Sequence, residues 1–160
     1  MRCAVARKIV GDGLDTAARR DMFLADGKAD TRASKVGARA SGVPGALAAY
    51  ARAVKDHGKL PLKWHLENAA RIAEDGFKIP AAYAERIRAT AKDLKLFKAS
   101  AALLFDSEGK PRKAGEVLMQ PDLARTYRAI SREGIGWFYG GPFAKATEQW
   151  MKANGGIITA

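Results

Sequence analysis

The side chains best suited to moving protons near neutral pH are the two histidines, His57 and His65. His57 stands directly before Gly58, where a cation meets the negative pole of a helix, and His65 falls on the polar side of a helix that starts at Pro61. Capping and surface placement account for both. Neither has a companion at H-x-x-x-H spacing, and Cys3 is the one cysteine, so neither a Cys-rich zinc site nor an internal disulfide is built. Ser34, Ser41, Ser100, Ser107 and Ser131 all lie outside any G-x-S-x-G elbow, which leaves serine-triad hydrolysis unsupported. Thr16, Thr31, Thr90, Thr126, Thr147 and Thr159 are internal, and an internal threonine is a weak nucleophile without an adjacent base. Gly140-Gly141 and Gly155-Gly156 fit no phosphate-binding loop and read as helix punctuation. Trp137-Phe138-Tyr139 reads as core packing rather than a ligand-stacking platform. No catalytic, cofactor-binding or metal-binding residue is assigned, and no cofactor is expected.

The elements that would hold such residues are mostly helices. Asp21-Met22-Phe23-Leu24 running into Ala25-Asp26-Gly27-Lys28 predicts a short strand entering a tight turn, because Asp-Gly supplies the φ > 0 positions of a hairpin. Residues 29–41 are small and polar and read as loop or edge. After Pro44-Gly45, an apolar stripe of Leu47, Tyr50, Ala51 and Val54 predicts a helix ending before Gly58. Pro61 opens a second helix, with Leu62, Leu66, Ala69, Ala70 and Ala73 inward and Gly76 as its stop. A third follows Pro80, with Tyr83, Ile87, Ala91 and Leu94 on one face. The apolar run from Ser100 to Phe105 predicts a buried strand or extended segment closed by the turn Asp106-Ser107-Glu108-Gly109, with Lys110 to Glu116 as loop. Pro121-Asp122 starts a helix striped by Leu123, Tyr127 and Ile130, and Gly134 stops it. Gly141-Pro142 starts the last, with Phe143, Ala146, Trp150 and Met151 inward and Asn154-Gly155-Gly156 ending it. The fold class is mainly α with a few short strands, in one domain covering residues 1–160.

Charge narrows the partners. Lys and Arg number 28 against 17 Asp and Glu, a formal +11. The cations are scattered as singles and pairs, without the runs of a basic tail and without interleaved aromatics, so nucleic-acid binding is not expected. No stretch is long and apolar enough to predict a membrane span. The start, Met1-Arg2-Cys3-Ala4-Val5-Ala6-Arg7-Lys8, lacks the apolar run of a signal peptide, so the chain is expected to be unexported.

Six segments, taken in order, resemble the γ-glutamyltranspeptidases, also called γ-glutamyltransferases or glutathione hydrolases. Ala40-Ser41-Gly42-Val43-Pro44-Gly45 is similar to the family's A-x-G-V-P-G, and His57-Gly58-Lys59-Leu60-Pro61 to its Y-G-K-L-P with histidine for tyrosine. Ala69-Ala70-Arg71-Ile72-Ala73-Glu74-Asp75-Gly76-Phe77 resembles A-x-x-L-A-x-x-G-F. Gly115-Glu116 followed by Gln120-Pro121-Asp122-Leu123-Ala124-Arg125-Thr126 resembles G-E/D-x-L-x-Q-P-D-L-A-x-T. Phe138-Tyr139-Gly140-Gly141 and Asn154-Gly155-Gly156-Ile157-Ile158-Thr159 match F-Y-x-G and G-G-L-I-T. The resemblance runs from about residue 21 to residue 160, leaving residues 1–20 as a divergent segment.

The resemblance implies part of the large subunit of an N-terminal-nucleophile hydrolase, an αββα fold made as one self-cutting precursor. In that family the new N-terminal threonine of the small subunit attacks the γ-glutamyl amide of glutathione, with its own α-amine as base. The covalent γ-glutamyl enzyme then yields to water or to an amino-acid acceptor. Those parts lie downstream of Ala160. The family's substrate-gripping arginine precedes T-R-D-M-F, and gapless alignment on Arg20-Asp21-Met22-Phe23 places Gly11 there and Asp15 at the following proline. Arg7 would serve only after a slip of four residues. The resemblance thus implies a fragment inactive alone, with the missing remainder of the precursor, small subunit included, as partner. A periplasmic or secreted setting is typical of the family. Two other readings stand beside it: a split enzyme whose remainder is encoded separately, and a stand-alone basic helical module that binds an anionic partner or a protein.

Overall fold

The computed structural model describes residues 18–160; Cys3, Arg7, Gly11, Asp15 and Thr16 lie outside the described residues. The chain divides into two compact units, one holding the chain up to Trp64 together with Ala129–Ala160, the other His65–Arg128. Helices dominate both, as their proline and glycine punctuation predicts.

In the first unit, β1 (Leu24–Ala25) pairs antiparallel with β2 (Lys28–Ala29), Leu24 opposite Ala29. Asp26 at φ 50° and Gly27 at φ 74° form the turn, the left-handed pair that a two-residue hairpin requires. The strand is shorter than expected: Asp21 to Phe23 form turn, with the Leu24 N–H donating to the Asp21 carbonyl at 2.9 Å. The polar stretch that follows carries a 3-10 turn, Ala38–Ala40, whose Ala38 is buried. Helix α1 (Ala46–His57) half-buries Leu47, Ala51 and Val54 as expected, but Tyr50 is 64% exposed and the buried position is Ala48. The stripe is turned toward Ala48 because that end of the helix docks on Tyr139. Near the end of the chain come α7 (Ile135–Tyr139) and α8 (Pro142–Ala153). On α8 the inward arc runs through Phe143, Thr147 and Met151, so Ala146 and Trp150, expected inside, are exposed. The arc centres one position round from the stripe read in the sequence, which puts Trp150 on its rim.

In the second unit the core is built on Ile79, Ile87, Leu104, Phe105 and Leu118, with Phe77, Ala84, Leu94 and Leu103 packed around it. A two-stranded antiparallel sheet, β3 (Phe77–Lys78) with β4 (Val117–Leu118), delivers Leu118 to this core. The third predicted helix is interrupted. It runs as α3 (Ala81–Ala89) and α4 (Ala91–Leu94), with Thr90 between them at φ −107° and its hydroxyl donating to the Arg86 carbonyl at 2.8 Å. The segment expected as a strand from Ser100 to Phe105 is helical instead, as α5 (Lys98–Leu104), and only Phe105 is extended, bridging to Pro111. A six-residue apolar run does not distinguish the two periods, and its alanines at 99, 101 and 102 favour helix. The following turn forms as expected, the Asp106 carboxylate accepting from the N–H groups of Glu108 and Lys110 at 2.9 and 2.8 Å.

Two longer helices, α2 (Leu62–Asp75) and α6 (Pro121–Glu133), meet in this unit through Ala70, Ala73 and Ala124, at 0%, 4% and 0% exposure, with Leu123 and Tyr127 alongside. Three alanines let the backbones approach closely. The Gln120 N–H donates to the Ala73 carbonyl at 2.6 Å, satisfying a helix-end acceptor that the chain otherwise leaves open. Arg128 grips Glu74 with both guanidinium nitrogens, at 2.9 and 2.5 Å. Glu74 is consequently held below the usual carboxylate range, first by that hydrogen bond and also by the guanidinium charge.

Candidate functional site

The histidines sit where the sequence reading puts them. His57 is the last residue of α1, beside the Gly58 N–H that donates to the Val54 carbonyl at 2.8 Å. His65 is exposed on α2. Neighbouring Asp56 is held below its ordinary value, chiefly by a hydrogen bond from Arg52. Four of the hydroxyls donate to main-chain carbonyls of their own turns: Ser34 to Thr31, Ser41 to Gly37, Thr90 to Arg86 and Thr126 to Asp122, at 3.1, 3.3, 2.8 and 3.0 Å. Each proton is spent locally on structure. Among the described residues, no three of His, Cys, Asp and Glu gather as a metal would require.

The aromatic segment has a structural task that its sequence reading only half anticipates. Phe138 stacks on Phe143 with centroids 4.3 Å apart, and Trp137 lies 5.8 Å from the same ring. These contacts make the expected core, with the three rings of the segment half-buried rather than sealed. Tyr139 goes further. Its phenol donates to the Pro44 carbonyl at 2.6 Å and accepts from the Ala48 N–H at 3.0 Å. Gly45, the residue before α1, has no side chain to cap the helix, so a tyrosine 91 positions beyond Ala48 in sequence does it.

The first unit also holds an open cleft of about 590 Å³, lined by residues from three separate stretches of chain. Arg19, Met22 and Leu24 come from the approach to the hairpin, Arg39 from the 3-10 turn, and Lys152 with residues 155–159 from the end of α8 and beyond. Arg39 donates to the Met22 carbonyl at 3.3 Å, and Lys152 pairs with Glu148 at 3.0 Å. Glu148 lies below its usual range because of that Lys152 hydrogen bond and charge, and because the Ala160 N–H also donates to it. The cations of this cleft escape a sequence reading that treats scattered basic residues as a solvated surface, since positions 19, 39 and 152 share no motif.

The relatives identify the scaffold. A family model described as γ-glutamyltranspeptidase matches residues 15–160. The chain is 35% identical over 143 residues to the glutathione hydrolase proenzyme of Escherichia coli strain K12, covering 89% of this chain and 25% of that protein. It is 39% identical over 168 aligned residues to the acylase ACY 1 proenzyme of Pseudomonas sp. strain SE83, covering 99% and 30%. The crystal structure of Helicobacter pylori γ-glutamyltranspeptidase superposes with a TM-score of 0.85 at 32% identity, over 90% of this chain and 42% of that one. The chain spans about a quarter to three tenths of the length of those two curated relatives. With its mainly helical fold, its six ordered motifs and this match over nearly all its length, the chain belongs to the γ-glutamyltranspeptidase family.

Proposed function

We propose that this chain is a scaffold segment of the large subunit of a γ-glutamyltranspeptidase-type N-terminal-nucleophile hydrolase, and that it performs no catalysis by itself. The carrying observation is the continuous family match of residues 15–160 to about a quarter of a proenzyme's length. The six threonines of the sequence all have peptide bonds on both sides, so none has the free α-amine that would make it a self-activating nucleophile. Completed by the remainder of the precursor, including a small subunit that begins with threonine, the scaffold would serve hydrolysis or transfer of γ-glutamyl groups such as that of glutathione.

Incubating the purified full chain with a chromogenic γ-glutamyl anilide tests this. Release of the chromogenic aniline at the buffer rate is the expected result, and turnover that scales with chain concentration overturns the proposal. The 39% identity to an acylase proenzyme over 99% of the chain favours one second reading, that the completed enzyme cleaves an acyl amide of the kind an acylase takes. Assaying the chain together with a candidate remainder on a γ-glutamyl and an acyl anilide separates the two substrate classes.

A further inference from the structure

We propose that the cleft of the first unit binds a small aliphatic carboxylate, its charge held at Arg39 and Lys152 and its chain laid against Met22, Ile157 and Ile158. The cleft's volume, about 590 Å³, is that of a small-molecule site. Three cationic side chains, Arg19, Arg39 and Lys152, line it against Asp21 in the lining and Glu148 on Lys152, which leaves positive charge in excess, so its field favours an anion. Arg39 is positioned from behind: its Nη1 donates to the Met22 carbonyl, which fixes the guanidinium while leaving further donors on its planar fork for a carboxylate. The aliphatic part of the lining has no polar demand of its own and suits an alkyl chain.

The wall carrying Ile157 and Ile158 is fixed in place. The Gly156 N–H donates to the Met151 carbonyl at 2.8 Å, and Gly156 packs so tightly on Met151 and Ala38 that a Cβ there would overlap the Met151 sulfur. Met151 and Ala38 are both buried, at 6% and 4% exposure. At the rim, the Lys152 ammonium pairs with Glu148 at 3.0 Å. The wall is thus anchored on a buried pair, Met151 and Ala38, and the rim ammonium is held by a carboxylate one helical turn before it.

The test is a methyl-resolved NMR titration of the full chain with octanoate, with octanamide as the uncharged probe. Saturable shifts confined to the methyls of Met22, Ile157 and Ile158, at least tenfold weaker affinity for octanamide, and weakening by added salt are expected. Arg39→Met is expected to reduce octanoate affinity about tenfold. Because that variant also loses the Met22 contact, Lys152→Met provides the second reading, and circular dichroism checks that each remains folded. Equal binding of octanoate and octanamide, wild-type affinity in both variants, or shifts that never saturate would overturn the proposal. So would an acidic leucine-rich peptide that displaces octanoate with higher affinity, since the seat would then belong to a polypeptide.

Discussion

Tyr139 shows how a residue read as packing can carry a polar task. In Tyr139→Phe the ring keeps its edge contact with Phe138, 5.0 Å between centroids, while the Ala48 N–H loses its acceptor and the Pro44 carbonyl its donor. Leaving such groups unpaired costs about 1–3 kcal/mol, so the variant is expected to unfold at lower urea with an unchanged slope. A midpoint equal to wild type would place the capping elsewhere. Charge at single residues makes a separate prediction. Asp56, Glu74, Asp106 and Glu148 are all held below the usual carboxylate range, by hydrogen bonds from Arg52, Arg128, the Lys110 N–H and Lys152 respectively. A folded-state pKa below the unfolded one contributes stability that is present above the unfolded value and lost as pH falls through the folded one. Urea midpoints are therefore expected to stay level from neutral pH down to about pH 5 and to decline below about pH 4. Glu74→Gln is expected to shallow that decline without steepening it anywhere, and the effect is small because the group is exposed.

At the scale of elements, the chain is most legible where proline and glycine bracket a run long enough to show its period. Helices α1, α2, α6 and α8 begin and end within a few residues of Pro44-Gly45, Pro61, Pro121 and Gly141-Pro142 at one end and of Gly58, Gly76, Gly134 and Gly155 at the other. Where the run is short, period fails, and α5 is the case. Faces are legible only to about one position: packing partners distant in sequence turned α1 toward Ala48 and α8 toward Met151. The cleft was not legible at all, because three stretches of chain without a shared motif build it. Two elements carry tests of their packing. Gly76 ends α2 at φ 83°, and a Cβ there would stand 2.6 Å from a Val117 methyl and 2.8 Å from the Met119 side chain. Gly76→Ala thus combines a left-handed backbone with overlap against β4 and is expected to destabilise by about 1–3 kcal/mol. On α2 and α6, Ala70→Leu or Ala124→Leu forces four-carbon side chains into a contact that alanines close completely. Each is expected to cost about 1–3 kcal/mol by overpacking, and Ala→Gly at either site less than that. Thermal melts that leave Ala124→Leu at the wild-type midpoint would show that the helices separate freely.

For the whole molecule, two opposed forces decide behaviour in solution. A formal charge of +11 keeps copies apart, and Debye screening weakens that repulsion as salt rises. Against it stand large apolar side chains that the chain leaves in water: Leu24, Tyr50, Leu60, Trp64 and Trp150 in one unit, Ile72, Leu96, Val117 and Met119 in the other. Most would be unremarkable singly. Val117 and Met119 are not single, because the side chains of both lie against Gly76, with exposures of 49% and 55%. In relatives several times longer, such surface has further polypeptide available to cover it, and the isolated chain has only another copy. The full chain is therefore expected to be monomeric in dilute, low-salt buffer and to self-associate as salt and protein concentration rise. Sedimentation velocity measures it directly. This sign is opposite to that of a basic module on an anionic polymer, whose binding weakens steeply with salt, so one salt series separates the scaffold reading from the stand-alone module. Val117→Lys with Met119→Lys should abolish the salt-driven association while leaving the helical circular dichroism unchanged. A chain that stays monomeric at every salt concentration would mean that its apolar faces need no cover, and the scaffold reading would lose its physical basis.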